Sequence, residues 1–227
     1  MRTFERLFVW IGGALFVLAL AATSYVYFVR WSQPSSTGGA AAVVQDGALI
    51  TVFALHHSLF ARDAVKGALA RALPERLLRS VYVWTASLLL LAVLTFWQPV
   101  AGVLFDARGA AAVAHAVVQL TGVWLIARAV ARIDPLDLAG IRQPARADPL
   151  QIRGPYAWVR HPLYLGWILA LFGAATMTGD RLTFAVVTTT YLVVAIPFEE
   201  RSLRRTYGET YAAYERSVRW RIVPFVY

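Results

Sequence analysis

The sequence predicts an all-α integral membrane protein of about six transmembrane helices, with a C-terminal helical hairpin and cytoplasmic amphipathic helices. Three observations carry that expectation. Apolar residues make up 59% of the 227 residues, far above the globular norm. They gather in runs about as long as a helix needs to cross the hydrocarbon. The basic residues lie in short loops between those runs, where they mark the cytoplasmic side and not a nucleic-acid surface.

The first run, Leu7 to Val29, is too long for a signal peptide and lacks a cleavage site. A turn-rich loop, "WSQPSSTGG", follows it. The second run, Val43 to Phe60, is the weakest, with Asp46 near its start and His56-His57 near its end. The third, Ser80 to Phe105, and the fourth, Ala110 to Ala131, are stronger. The fifth and sixth, Leu163 to Thr178 and Leu182 to Phe198, are separated only by Gly179-Asp180-Arg181, which predicts a tight helical hairpin. Pro197 should bend the sixth helix or end it early. All of this reads as one polytopic domain, four spans in 1–131, then a loop, the hairpin and an amphipathic helix in 132–227.

Charge tests the count. With the N-terminus cytoplasmic, only Arg30, Arg108 and Arg181 of the 22 basic residues fall outside, a strong positive-inside bias. Removing the second span would put the Arg62–Arg79 cluster outside, so that span is retained. After the sixth span, Leu203, Tyr207, Tyr211, Tyr214 and Val218 recur at helical spacing, with Arg204, Arg205, Glu209 and Arg216 elsewhere around the helix. This predicts an amphipathic cytoplasmic helix at the membrane surface, kinked or interrupted at Gly208. "KGALARALPERLLRS" predicts a shorter one.

Several chemistries are excluded. Without cysteine there are no disulfides, thiolate nucleophiles or cysteine zinc sites. No P-loop, Rossmann, G-x-S-x-G or H-E-x-x-H pattern occurs. His56 and His57 point about 100° apart on a helix and make a poor metal pair. His115 is expected to be hydrogen-bonded within the bundle.

Two clusters remain. The first is Gly154, Pro155, Tyr156, Arg160, His161, Pro162 and Tyr164, where the fifth span begins. Pro162 suits the first turn of a helix, whose orphan N–H groups, with Arg160, would form an anion-friendly end. The second is Glu199-Glu200, just beyond the sixth span. The hairpin returns these carboxylates to the face of Arg160 and His161. Singly, these are a snorkelling arginine and helix-end acids. Together they describe a basic helix end with an acidic wall, half open to lipid, suited to a zwitterion carrying an extra cationic centre.

"GPYAWVRHPLYLGW" followed by "FEERSLRRTYGETYAAY" resembles the isoprenylcysteine carboxyl methyltransferase and phospholipid methyltransferase superfamily, integral membrane enzymes that use S-adenosylmethionine. Longer stretches, "HHSLFARDAVKGALARALPERLLRSVYVWTASLLLLAVLTFWQP" and "DLAGIRQ", resemble its bacterial methanethiol S-methyltransferase branch. The resemblance implies a cofactor-binding loop before the hairpin. It sets Tyr156 and His161-Pro162-Leu163-Tyr164 against S-adenosylmethionine, with Glu199 on the same cofactor. Leu150, Gln151, Gly154 and, more remotely, Gln143 join them. The acceptor it implies is a small or lipophilic thiol such as methanethiol, in a bacterial inner membrane with both termini cytoplasmic. Arg160 and the helix end would then favour the thiolate, with His161 or Glu200 taking its proton. One departure stands out: "VVAIPFEE" lacks the arginine that the prenylcysteine enzymes carry before the paired glutamates. Methylation of a lipid amine or a prenyl-type carboxylate, or a non-catalytic membrane assembly or sensor protein, are the alternatives.

Overall fold

The computed structural model describes residues 3–60, 63–131, 135–142 and 149–227. Most of it is helical, and five of the described helices are long and apolar enough to cross a membrane. The chain forms two compact units, one from 1–102, 134–146 and 178–184, the other from 103–133, 147–177 and 185–227.

The first unit holds α1 (Thr3–Phe28), α2 (Ala40–Phe60), α3 (Asp63–Ala70) and α4 (Glu75–Phe96). Helix α4 stops well before Phe105, the end expected of the third span, because Trp97-Gln98-Pro99 follows and the residue before a proline is pushed out of helical geometry. Close approach of α1 and α4 rests on Gly12, where an added Cβ would lie 2.5 Å from Trp84 Nε1. That indole donates to the Phe8 carbonyl at 2.9 Å and stacks on the Phe8 ring. Asp46, a polar intruder in the second apolar run, is fully buried and accepts the Gln98 N–H at 2.9 Å. His56 and His57 lie against Tyr82, and no metal cluster occurs among the described residues.

Asp180 and Arg181 are not the exposed hairpin turn that the sequence predicts. Both are buried in the first turn of α8 (Gly179–Tyr207). Asp180 accepts Trp97 Nε1–H and the Val100 N–H, each at 2.8 Å. Arg181 donates to the carbonyls of Tyr27 and Phe28, and so caps the end of α1. A residue that charge counting assigns to an outer loop is in fact a buried helix cap.

The second unit holds β1 (Val103–Asp106), α5 (Gly109–Val130), α7 (Pro162–Phe172), β2 (Thr176–Thr178), most of α8, and α9 (Glu209–Ser217); the four-residue α6 (Pro135–Leu138) falls in the first. The stretch expected as the fifth span is the 11-residue α7 followed by β2, which pairs with β1. At about 1.5 Å per residue α7 extends only roughly 16 Å, half of the hydrocarbon thickness. The third span's missing end and the fifth span's missing end are thus the same two-stranded ribbon. His115, expected to be hydrogen-bonded within the bundle, packs its ring on Phe105 of β1 with centroids 5.0 Å apart and has no hydrogen-bond partner among the described residues.

Helices α5 and α7 run antiparallel at very close range. A Cβ on Gly122 would lie 2.3 Å from the Ala170 nitrogen, and one on Gly166 would lie 2.9 Å from the Gly122 carbonyl oxygen. In lipid, where apolar contact alone drives little association, such small-residue seams carry the packing. Pro197 does not end α8, which continues ten residues further to Tyr207; proline removes one backbone donor, and a helix of 29 residues survives that loss. The break falls at Gly208, whose φ of +53° separates α8 from α9. The expected amphipathic helix is therefore two pieces folded together. Leu203 and Tyr207 of α8 pack with Tyr211, Tyr214 and Val218, and Leu150 completes the cluster.

Replacing Gly122 by leucine should force α5 and α7 apart at backbone level, costing more than the roughly 1–3 kcal/mol of ordinary overpacking. Thermal unfolding in detergent should show a fall of several degrees, whereas Gly39→Ala, where an added Cβ meets nothing within 4 Å, should not move the transition.

Candidate active site

The second unit carries a dense polar cluster where α7 begins and α8 leaves its apolar stretch. Gly154 opens it with φ +66°, a conformation that favours glycine, and starts a 3-10 turn over Gly154–Ala157 with Pro155 buried. Pro162 then occupies the first position of α7, next to His161 at the cap. The amides of Tyr164 and Leu165 both return to the His161 carbonyl at 3.1 Å, so the first turn satisfies part of its own donor set. The anion-friendly helix end expected from the sequence is correspondingly reduced.

Glu200 is the centre. It is fully buried, and its two oxygens receive Arg160 Nε at 2.8 Å, Arg221 Nε at 3.1 Å and His161 Nε2 at 3.3 Å. Arg204 lies one turn along α8 at 3.7 Å and makes a two-pronged pair with Glu215 of α9 at 2.6 and 2.8 Å. Arg160, read in the sequence as an open anion site, is committed to protein: its Nη1 donates to the carbonyls of Val218 and Arg219. Its charge therefore acts on Glu200.

Glu199, the neighbouring residue, faces differently. Consecutive residues diverge by about 100° on a helix. Its side chain keeps 44% exposure, accepts the Tyr164 hydroxyl at 2.6 Å and stands 3.7 Å from His161 Nδ1. His161 and Tyr164 stack with ring centroids 5.2 Å apart. Because an ionised carboxylate can only accept, the contact with Glu200 puts a proton on His161 Nε2, while Nδ1 faces Glu199.

The remaining predicted residues spread outward. Tyr156 is half-buried, and burial together with the Glu199 charge pushes its phenol up. Its carbonyl accepts the Tyr214 hydroxyl at 2.8 Å, tying the 3-10 turn to α9. Leu150 lies in the Tyr211–Tyr214 cluster, Gln151 donates to the Pro149 carbonyl, and Leu163 is half-buried on α7. Gln143 falls outside the described residues. The Tyr211 hydroxyl is buried with no partner among the described residues, and burial beside Glu200 and Glu215 pushes it up. Arg160, His161, Tyr164, Glu199 and Glu200 thus meet in one place, with Tyr156 alongside.

Sequence reasoning missed Arg221 and Glu215. Neither lies in a periodic apolar pattern, and the only available signal was the excess of charge after α8. Burial pulls the Arg221 guanidinium down, but Glu200 and Tyr227 beside it outweigh that and hold it above its ordinary value. Chemically, the cluster offers a buried imidazole, a half-exposed carboxylate and aromatic faces next to a buried carboxylate paired with arginines.

Comparison with known proteins adds a direct line of argument. Residues 110–210 match the family described as phospholipid methyltransferase. The chain is 39% identical over 193 residues to methanethiol S-methyltransferase 2 of Bradyrhizobium diazoefficiens, covering 81% of this chain and 74% of that one. It is 35% identical over 195 residues to the methanethiol S-methyltransferase of Crocosphaera subtropica, covering 82% and 76%. The corresponding enzyme of Mycobacterium tuberculosis is 35% identical over 186 residues, covering 78% and 76%. No solved structure matches at a significant level.

Glu200→Gln should remove the charge that two buried arginine contacts depend on, destabilising the unit by about 3–5 kcal/mol. Glu199→Gln, at a half-exposed position, should unfold within about 1 kcal/mol of the parent. Denaturant or thermal unfolding of the two variants side by side checks the contrast.

Proposed function

The chain belongs to the phospholipid methyltransferase family together with the methanethiol S-methyltransferases, and on that premise we propose that this membrane methyltransferase S-methylates a small or lipophilic thiol such as methanethiol, with S-adenosylmethionine as donor. What supports the choice of a thiol is the placing of His161, whose Nε2 lies 3.3 Å from Glu200 and whose Nδ1 would be left to accept a proton. Thiols react as thiolates and must lose a proton, and Nδ1 is a base held ready for it by Glu200.

The residues fit S-adenosylmethionine as donor. Glu199 is a carboxylate with exposure to spare, suited to a cationic group, and the Tyr211 hydroxyl is an orphaned buried polar atom beside the same cluster. Glu199, Tyr156, His161, Pro162, Leu163 and Tyr164 would hold the donor, with Leu150, Gln151 and Gly154 supporting them and Gln143 as an outlying candidate. When bound, it supplies an electrophilic methyl carbon on a positively charged sulfur.

This chain's residues then have three tasks. His161 Nδ1 accepts the thiol proton and passes it out past Glu199. Glu200 keeps the imidazole in the Nε2–H form and stabilises the imidazolium once it forms, while Arg160 holds Glu200. The stacked Tyr164 and the buried surroundings exclude water from a displacement that disperses charge. Arg160 and Glu200 are thus positioning residues, with His161 the general base. The basic residues support both termini on the cytoplasmic side, and the resemblance to bacterial enzymes supports a bacterial inner membrane. The family's description favours a second acceptor, a phospholipid amine.

Membranes containing the protein, incubated with methyl-labelled S-adenosylmethionine and a panel of thiols, should yield labelled volatile thioether, with methanethiol the best acceptor. Label appearing only in a lipid-soluble product would replace the thiol by the lipid amine. His161→Gln should lower thiol methylation by roughly 10²-fold or more and remove the acidic limb of its pH–rate profile. Glu199→Gln should weaken S-adenosylhomocysteine binding to purified protein; unchanged affinity would displace Glu199 from the donor site.

A further inference from the structure

The segment after α9 is drawn into the candidate site along its length. The carbonyls of Val218 and Arg219 accept Arg160 Nη1, that of Trp220 accepts the Arg160 N–H at 2.9 Å, and that of Arg221 accepts the His161 N–H at 2.8 Å. Four consecutive carbonyls therefore bond the two residues that precede α7. The segment also closes on itself: the Tyr227 carbonyl accepts the N–H groups of Arg221, Ile222 and Val223 at 2.8–3.1 Å. Inside that closed turn, Arg221 donates Nη1 to the Tyr227 hydroxyl at 3.1 Å, lies over the Tyr227 ring, and aims Nε at Glu200.

We propose that Val218–Tyr227 is a positioning strap, and that Arg221 acts through Glu200 to keep His161 a neutral proton acceptor. Charge balance is the reason. The groups around the imidazole are Glu199, Glu200 and Arg204 from α8, Glu215 from α9, Arg160 and Tyr164 on its own segment, and Arg221 with Tyr227 from the strap. Three carboxylates face three guanidiniums, so a neutral imidazole leaves the cluster without net charge. Removing Arg221 leaves one negative charge uncompensated beside Glu200, and an imidazolium is what would replace it. A higher pH is then needed to free the Nδ1 lone pair. The same closed turn explains why the arginine can reach a fully buried carboxylate from outside the helices: its approach is fixed at both the backbone and the ring. This inference rests on His161 being the base in the reading above.

The test compares Arg221→Gln and Arg221→Lys in the full-length protein, using the pH–rate profile of thiol methylation and the pH titration of the His161 imidazole by NMR, assigned by its loss in His161→Gln. In Arg221→Gln the acidic limb and the imidazole titration should both move upward by about one pH unit, and kcat should fall roughly tenfold at neutral pH, with the KM for the donor within about threefold. In Arg221→Lys, which keeps the charge but not the fork, more than half of the shift should disappear. A lower rate at every pH with the titration unmoved would make Arg221 merely structural and overturn the proposal. If the parent transfers no methyl group to thiols, the acceptor assignment fails, while the imidazole titration alone still decides the strap: a shift upholds it and none sinks it.

Discussion

A carboxylate with no exposure to water is tolerated only when cations and donors surround it, and Glu200 is such a group. Its requirement organises the polar end of the second unit. The segment before α7 supplies Arg160 and His161, α8 supplies Arg204, and the segment after α9 supplies Arg221. Remove the carboxylate and three guanidiniums lose a shared partner; remove one guanidinium and the carboxylate loses part of its compensation. Such a network adds little net stability compared with a well-packed apolar core. What it does add is a single arrangement for His161, which no apolar core could orient.

That arrangement also needs a rigid base beneath it, and the α5–α7 seam provides one. Gly122 and Gly166 bring the two backbones together so closely that neither can rotate without collision. The start of α7, and with it Pro162 and the His161 cap, is therefore fixed by backbone packing as well as by its polar contacts. The shortness of α7 follows the same logic. Gly173 lies against Gln119, and the chain turns there into a strand bonded to β1 instead of continuing as a helix.

Hydropathy made the membrane class and three of the long helices, α1, α2 and α5, legible almost to their ends, because lipid requires backbone polar groups to be satisfied within the helix. It failed at the ribbon. Val103–Asp106 and Thr176–Thr178 are apolar enough to extend neighbouring spans, and hydropathy cannot tell a strand from a helix end. Charge counting failed at Arg181 because a buried cap and an exposed loop arginine look identical in sequence. The motif around Arg160–Tyr164 and Glu199-Glu200 was readable as a meeting of two segments. That adjacent glutamates divide their work was not, since it depends on which face of α8 turns inward. Arg221 was invisible for a different reason: its role comes from a closed turn with no periodic signature.

The division between Glu199 and Glu200 bears on why a thiol is a plausible partner for this chemistry. A buried cluster whose carboxylates and guanidiniums already cancel has little capacity for another positive charge. In the proposed reading, proton transfer from a thiol to His161 creates an imidazolium and a thiolate side by side. The pair is closest to balanced where water is scarce, because opposite charges attract more strongly in a low dielectric. In that proposal methyl transfer consumes the thiolate, and the proton left on His161 would leave through Glu199, a half-exposed carboxylate 3.7 Å away. On that proposal Glu200 holds the imidazole because it is sealed, and Glu199 releases the proton because it is not.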